Sequence, residues 1–167
     1  DLLTAPDGKL EIAARQSGLE ARLATGFRVQ EHLLLLRDLQ LTGPRTRIGG
    51  DLTLDLEHAL ARGKLRGEVG NLTAFAPLLP VEVSGQLKLE TRLEAAGERQ
   101  SVALVVDGSE LRTDFGRLHG GHLRATVADA LGTPRLEGSL DLDAYHQDQI
   151  ALEHAALTAK GSASDLA

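Results

Sequence analysis

Apolar and polar residues alternate along almost the whole chain, and glycines punctuate the pattern. In Gly49-Gly50-Asp51-Leu52-Thr53-Leu54-Asp55-Leu56 the leucines fall on one side and Asp51, Thr53 and Asp55 on the other. The same cadence returns at 84–95 and 137–144, again beside a glycine. A period of two marks a strand whose two faces meet different surroundings. It predicts strands over 8–16, 18–25, 27–42, 45–56, 60–69, 81–96, 99–107, 115–128, 134–145 and 149–160. Turn chemistry falls between them at Pro6-Asp7-Gly8, Ser17-Gly18, Gly43-Pro44, Asp107-Gly108 and Gly132-Thr133-Pro134. Connections this short force antiparallel pairing, because parallel neighbours need long crossovers. The expected fold is all-β, a long and mostly antiparallel sheet.

One stretch departs from the alternation. Residues 71–80, NLTAFAPLLP, are apolar and carry two prolines. Asn71 or Thr73 can cap a helical turn that Pro77 then interrupts, so a short helical turn near 72–78, lying over the sheet, is expected. Asn71-Leu72-Thr73 also matches a glycosylation acceptor, and in so apolar a segment the match reads as incidental.

Composition alters this picture in three ways. The chain of 167 residues is 42% hydrophobic, yet it holds three Phe, one Tyr and no Trp, so its apolar mass is Leu, Val and Ala. Aliphatic branches without rings make a smooth surface suited to repetitive contacts. Cysteine is absent, which excludes disulfides, thiolate metal ligands and cysteine nucleophiles within these residues. The net charge of −6 argues against nucleic acid, which needs a basic face to displace counterions. No apolar run approaches the roughly 18 residues of a bilayer span. With no Met and no recognisable leader, residues 1–167 read as one β-rich section of a longer protein.

Candidate chemistry is sparse. His119 and His122 bracket two glycines, but residues three apart on a straight strand point to opposite faces. Asp141 and Asp143 share a face, and His146 joins them only if a bulge intervenes. Neither group is expected to hold a metal, which needs converging ligands. No Gly-x-Ser-x-Gly elbow is present, and no glycine-rich loop joins a strand to a helix. Glu90 and Glu94 alternate with the apolar face and belong to the solvent side. The stretch 112–126 is locally basic and fits either anionic headgroups or a solvated strand pair. No catalytic residue and no cofactor are expected, and the chain does not read as an enzyme.

What remains is the apolar face: Leu52, Leu54, Leu56, Leu87, Leu89, Leu93, Val102, Leu104, Val106, Leu123, Val127, Leu140 and Leu142. Two such faces covering one another make a β-sandwich core. A single face left partly open makes an apolar trough, and exposed apolar patches of that size mark interaction sites. Periodicity alone does not separate the two.

Order along the chain adds a resemblance. A leucine-alternating strand (36–56) is followed by the connector Asn71-Leu72-Thr73-Ala74-Phe75-Ala76-Pro77-Leu78, a Gly-x-Leu-x-Leu strand (85–89) and a strand opening on Gln100-Ser101. Residues 132–161 continue the style, so the likeness covers roughly 40–161. This arrangement resembles the TamB family of the translocation and assembly module, within the AsmA-like, bridge-like lipid-transfer proteins. The connector departs from that family in starting with Asn71 where Asp is usual. The resemblance implies a β-taco, a sheet folded into a hydrophobic trough that spans the periplasm of a Gram-negative cell. It implies phospholipid acyl chains as cargo, with the thirteen residues above lining the groove, and an inner-membrane anchor outside this section. It also implies an outer-membrane partner of the TamA type and a link to β-barrel assembly, and it carries no catalytic residues.

Overall fold

The computed structural model describes residues 6–16, 19–74, 82–147 and 150–162. Among them, ten strands form one sheet in strict sequence order, every neighbour antiparallel. They are β1 (Asp7–Gln16), β2 (Leu19–Gln30), β3 (Leu33–Gly43), β4 (Thr46–Asp55), β5 (Leu60–Val69), β6 (Val83–Ala96), β7 (Arg99–Thr113), β8 (Gly116–Ala128), β9 (Arg135–Gln147) and β10 (Ile150–Ser162). The protein is all-β and its sheet stays open, since β1 and β10 are not paired to each other. The single non-strand element described is a 3₁₀ turn at Leu72–Ala74, where the Asn71 Oδ1 accepts the Thr73 amide at 3.0 Å. The expected turn near 72–78 is therefore present over its first residues, capped by Asn71, and residues 75–78 lie outside the described set.

Two expected boundaries differ. The expected strands 18–25 and 27–42 part at Gly26, but β2 runs on to Gln30 and the chain turns at Glu31-His32, where Glu31 takes a left-handed φ of 54°. Asp107-Gly108 has hairpin chemistry, yet β7 passes straight through it to Thr113. Gly108 faces Gly121 across the ladder and is overlain by Leu111, whose Cδ1 would lie 2.7 Å from a Cβ placed there. The pair is glycine for close packing rather than for turning.

Bulges keep the leucines on one side. In β3, Leu34 and Leu36 are even-numbered while Leu39 and Leu41 are odd, yet all four pair with even-numbered β4 residues, from Leu54 to Ile48. The extra residue is accommodated at Arg37-Asp38, with Asp38 at φ 51°. Both interrupted backbone groups find partners: the Asp38 amide donates to Asp51 Oδ1 at 2.9 Å, and Thr25 Oγ1 donates to the Arg37 carbonyl at 3.0 Å. Thr25 is 5% exposed, so that hydroxyl satisfies a carbonyl little reached by water. A second extra residue enters at Glu110 in β7, φ 52°, and Ala144 in β9 adopts φ 49° at the corresponding level.

Two glycines fix the β4–β5 contact. Gly50 (φ 155°) pairs with Leu65 and Gly63 (φ 145°) with Leu52. A Cβ on Gly50 would fall 1.9 Å from the Lys64 carbonyl oxygen, and one on Gly63 2.1 Å from that of Asp51. Glycine ahead of the leucine cadence is thus a steric requirement of this strand pair.

The sheet bends about β6. Residues of β5 and β7 come within 8 Å of each other, closer than the roughly 9.6 Å separating alternate strands of a flat sheet. Gln100 holds this bend. Its Oε1 accepts the Ala61 amide at 2.7 Å, and its Nε2 donates to the Ala61 and Glu94 carbonyls at 3.0 Å each. The β5–β6 ladder stops at Gly63–Leu93, so the Gln100 amide takes over the pairing of Ala61. At 6% exposure it is one of few buried polar residues. A second layer is missing among the described residues. Among the described residues the buried hydrophobics are Leu60, Val69 and Leu72, and the accessible surface is 11791 Å². A compact chain of this mass, 17.8 kDa, exposes about 8,000 Å².

Candidate functional site

Residues paired across neighbouring strands line up into rungs perpendicular to the strands. One rung runs through Ile12, Leu23, Leu41, Ile48, Gly67, Leu89, Val106, Leu123, Leu140 and Leu157, one residue from each strand and none of them polar. A further rung runs from Gly8 and Phe27 through Leu36, Leu52, Gly63, Leu93, Val102, Val127 and Leu136. Leu104 lies between these two rungs, paired with Thr91 and Ala125. Leu87 and Leu142 lie on the far side of the first rung, on a line interrupted by Gly108 and Gly121. Leu54 sits at the other margin, paired with Leu34 and Ala61. Twelve of the thirteen residues named from the sequence therefore share one face. Leu56 does not extend it: β4 ends at Asp55, and Leu56 lies in the following turn, 60% exposed.

Exposure along this face is graded. Leu89, Val106, Leu104 and Leu123 are half-buried by their lateral neighbours alone. Toward the margins cover falls away, with Ile12 47% and Leu157 58% exposed. Across nine strand spacings the face is about 43 Å wide. None of the described strands packs over it, so a β-sandwich core is not formed.

The opposite face is polar and charge-alternating. Its central rung reads Thr42, Arg47, Glu68, Lys88, Asp107, His122, Asp141 and Ala156. Arg66 donates to Glu90 at 3.0 Å and Lys160 to Glu137 at 3.3 Å. Glu90 thus lies on the solvent side, as its spacing requires. Exposed cross-strand pairs of this kind stabilise a sheet by fractions of a kcal/mol each. The Glu20 carboxyl is held below its usual range by hydrogen bonds from Arg22 and then Arg15.

The histidines do not converge on a metal. His119 Nδ1 meets Glu110 at 2.7 Å, whereas His122 is engaged by Asp107. Asp143 pairs with His154 at 3.3 Å, and a left-handed residue does intervene between Asp143 and His146, at Ala144. Even so, the described residues contain no group of three ligands placed to hold a metal ion. A third group, not among those expected from the sequence, lies at the ends of β2 and β4. Asp55 accepts the amides of Glu57 and His58, each at 3.1 Å, and lies 3.1 Å from His58 Nδ1. His32 stands edge-on to His58, with centroids 6.4 Å apart, and 3.8 Å from Glu57. Hydrogen bonding to Asp55 raises the His58 pKa, helped by the charge of Asp55 and then Glu57 and Glu98. Partial burial works to raise that of Asp55, but the hydrogen bonds from His58 and Glu57 outweigh it and the net shift is downward. The signal for this group was the recurrence of His one residue after Glu, in Glu31-His32 and Glu57-His58, at turns that close the same end of the sheet.

These features define a single-layer antiparallel sheet with one aliphatic face that no described strand covers and one charged face. Comparison with protein-family profiles, curated proteins and solved structures found no match to the chain.

Proposed function

We propose that this chain is a periplasmic section of a TamB-like bridge that carries phospholipid between the inner and outer membranes, its sheet acting as one stretch of a β-taco. The observation that supports this is the rung from Ile12 to Leu157, free of polar side chains, on a face that no described strand covers. An acyl chain lying on that face gains about 0.8 kcal/mol per methylene removed from water. Moving across the strands, it exchanges Leu, Ile and Val contacts, past Gly67, with no polar side chain in the first rung to arrest it. Transport of this kind needs containment and no covalent chemistry. The inner-membrane anchor would lie outside this section.

Free edges favour a second reading. β1 and β10 each present an outer side with no described partner, and an unpaired edge is a template for a further strand. In this reading the chain is a scaffold for outer-membrane β-barrel assembly with a partner of the TamA type. Photo-crosslinking in cells separates the two. Probes at Leu54 and Leu89, with Thr53 as the control on the charged face, are expected to give lipid adducts at the leucines alone. Absence of adducts at both leucines in folded protein removes the lipid reading. Adducts to nascent barrel proteins from β1 or β10 then favour the scaffold.

A further inference from the structure

We propose that a hollow on the charged face, at the β3–β4 turn end of the sheet, binds a phosphate-type anion. The hollow measures about 760 Å³, within the usual range for ligand pockets. Arg47 of β4 and Arg45 of the β3–β4 turn line it, together with Lys88, Gln86 and Ser109. The backbone of Gly43, Gly70 and Gly108 completes the lining. Two carboxylates share the lining, and both are occupied: Lys88 Nζ is 3.9 Å from Glu68, and His122 engages Asp107. Arg45 and Arg47 make no ion pair or side-chain hydrogen bond among the described residues. Two arginines lining one hollow, without carboxylate partners, suit the oxygens of a phosphate, which arginine binds in bidentate fashion. Ser109 and Gln86 add neutral donors.

The site lies on the face opposite the leucines, so it neither requires nor follows from acyl chains on the aliphatic side. Its phosphate can come from a phospholipid headgroup or from a soluble phosphate ester. The test titrates the folded chain with glycerol 3-phosphate, following the amide resonances of Gly43, Gly70 and Gly108. In parallel, it measures co-flotation with vesicles of phosphatidylglycerol against phosphate-free glycolipid vesicles. Arg45→Gln/Arg47→Gln is expected to weaken binding by about tenfold or more. Arg47→Lys should fall between that variant and the parent, and Arg124→Gln, on the same face outside the hollow, should bind as the parent does. Binding of the soluble ester that depends on the two arginines assigns the site to small phosphate esters. Arginine-dependent binding to phosphatidylglycerol vesicles alone assigns it to headgroups. The proposal is overturned if the parent binds neither probe, or if the double variant binds as well as the parent.

Discussion

The two faces of this sheet are made by the same strands, yet they are held by different physics. On the aliphatic face each side chain is covered only by neighbours on adjacent strands, so burial is partial and fades toward β1 and β10. On the charged face Arg66–Glu90, Lys88–Glu68 and Lys160–Glu137 pair across strands in water, where each contributes little. One face keeps unspent capacity for apolar contact, while the other has largely satisfied its charges internally. Unsatisfied capacity is where binding energy remains, and it persists in two places: the leucine rungs, and the hollow that holds Arg45 and Arg47.

The change with the largest expected effect breaks both faces together. Gly50→Ala places a Cβ against the Lys64 carbonyl in a backbone conformation that L side chains rarely adopt. Denaturant unfolding should show a loss of about 3 kcal/mol or more. A loss under about 1 kcal/mol would mean that β4 and β5 are not in such close register. The contrast between faces is sharpened by a smaller pair of changes. Leu104→Ala is expected to cost about 1–2 kcal/mol, below the usual core value because only lateral cover is lost. Arg66→Ala is expected to cost about 0.5 kcal/mol or less. If Leu104→Ala costs as much as a fully buried leucine, a further layer covers that face in solution.

The smallest effect is set by pH at the turn end that carries His58. Its pKa is raised in the folded state, so its contribution is complete below the unfolded value of 6.5 and fades as pH rises through the folded one. Asp55 is shifted down from 3.8, so its contribution is present above that value and fades as pH falls. The pair therefore holds the turn best between roughly pH 4 and 6.5, with Glu57, Glu98 and His32 as the other titratable groups around it. The melting temperature of the parent should exceed that of His58→Gln by a small margin near pH 5.5, and by less near pH 8. An equal margin at both would show that the His58–Asp55 contact carries no charge.

Much of the fold is written locally in the chain. Alternation around Leu52, Leu87, Leu104, Leu123 and Leu140 determined ten strands, their antiparallel order and which residues share a side, because a period of two is a property of consecutive residues. Asn71 announced the cap of the 3₁₀ turn in the same way. Tertiary structure decided the rest. Asp107-Gly108 is turn chemistry that became strand, since Gly108 was needed opposite Gly121 and beneath Leu111. The shift at Asp38 is invisible in the pattern, because its amide is satisfied by Asp51, thirteen residues away. Gln100 is one polar residue among many until the fold brings it to Ala61. Whether leucines face one another or stand uncovered is likewise non-local: it depends on whether a second layer forms, and the described strands form only one.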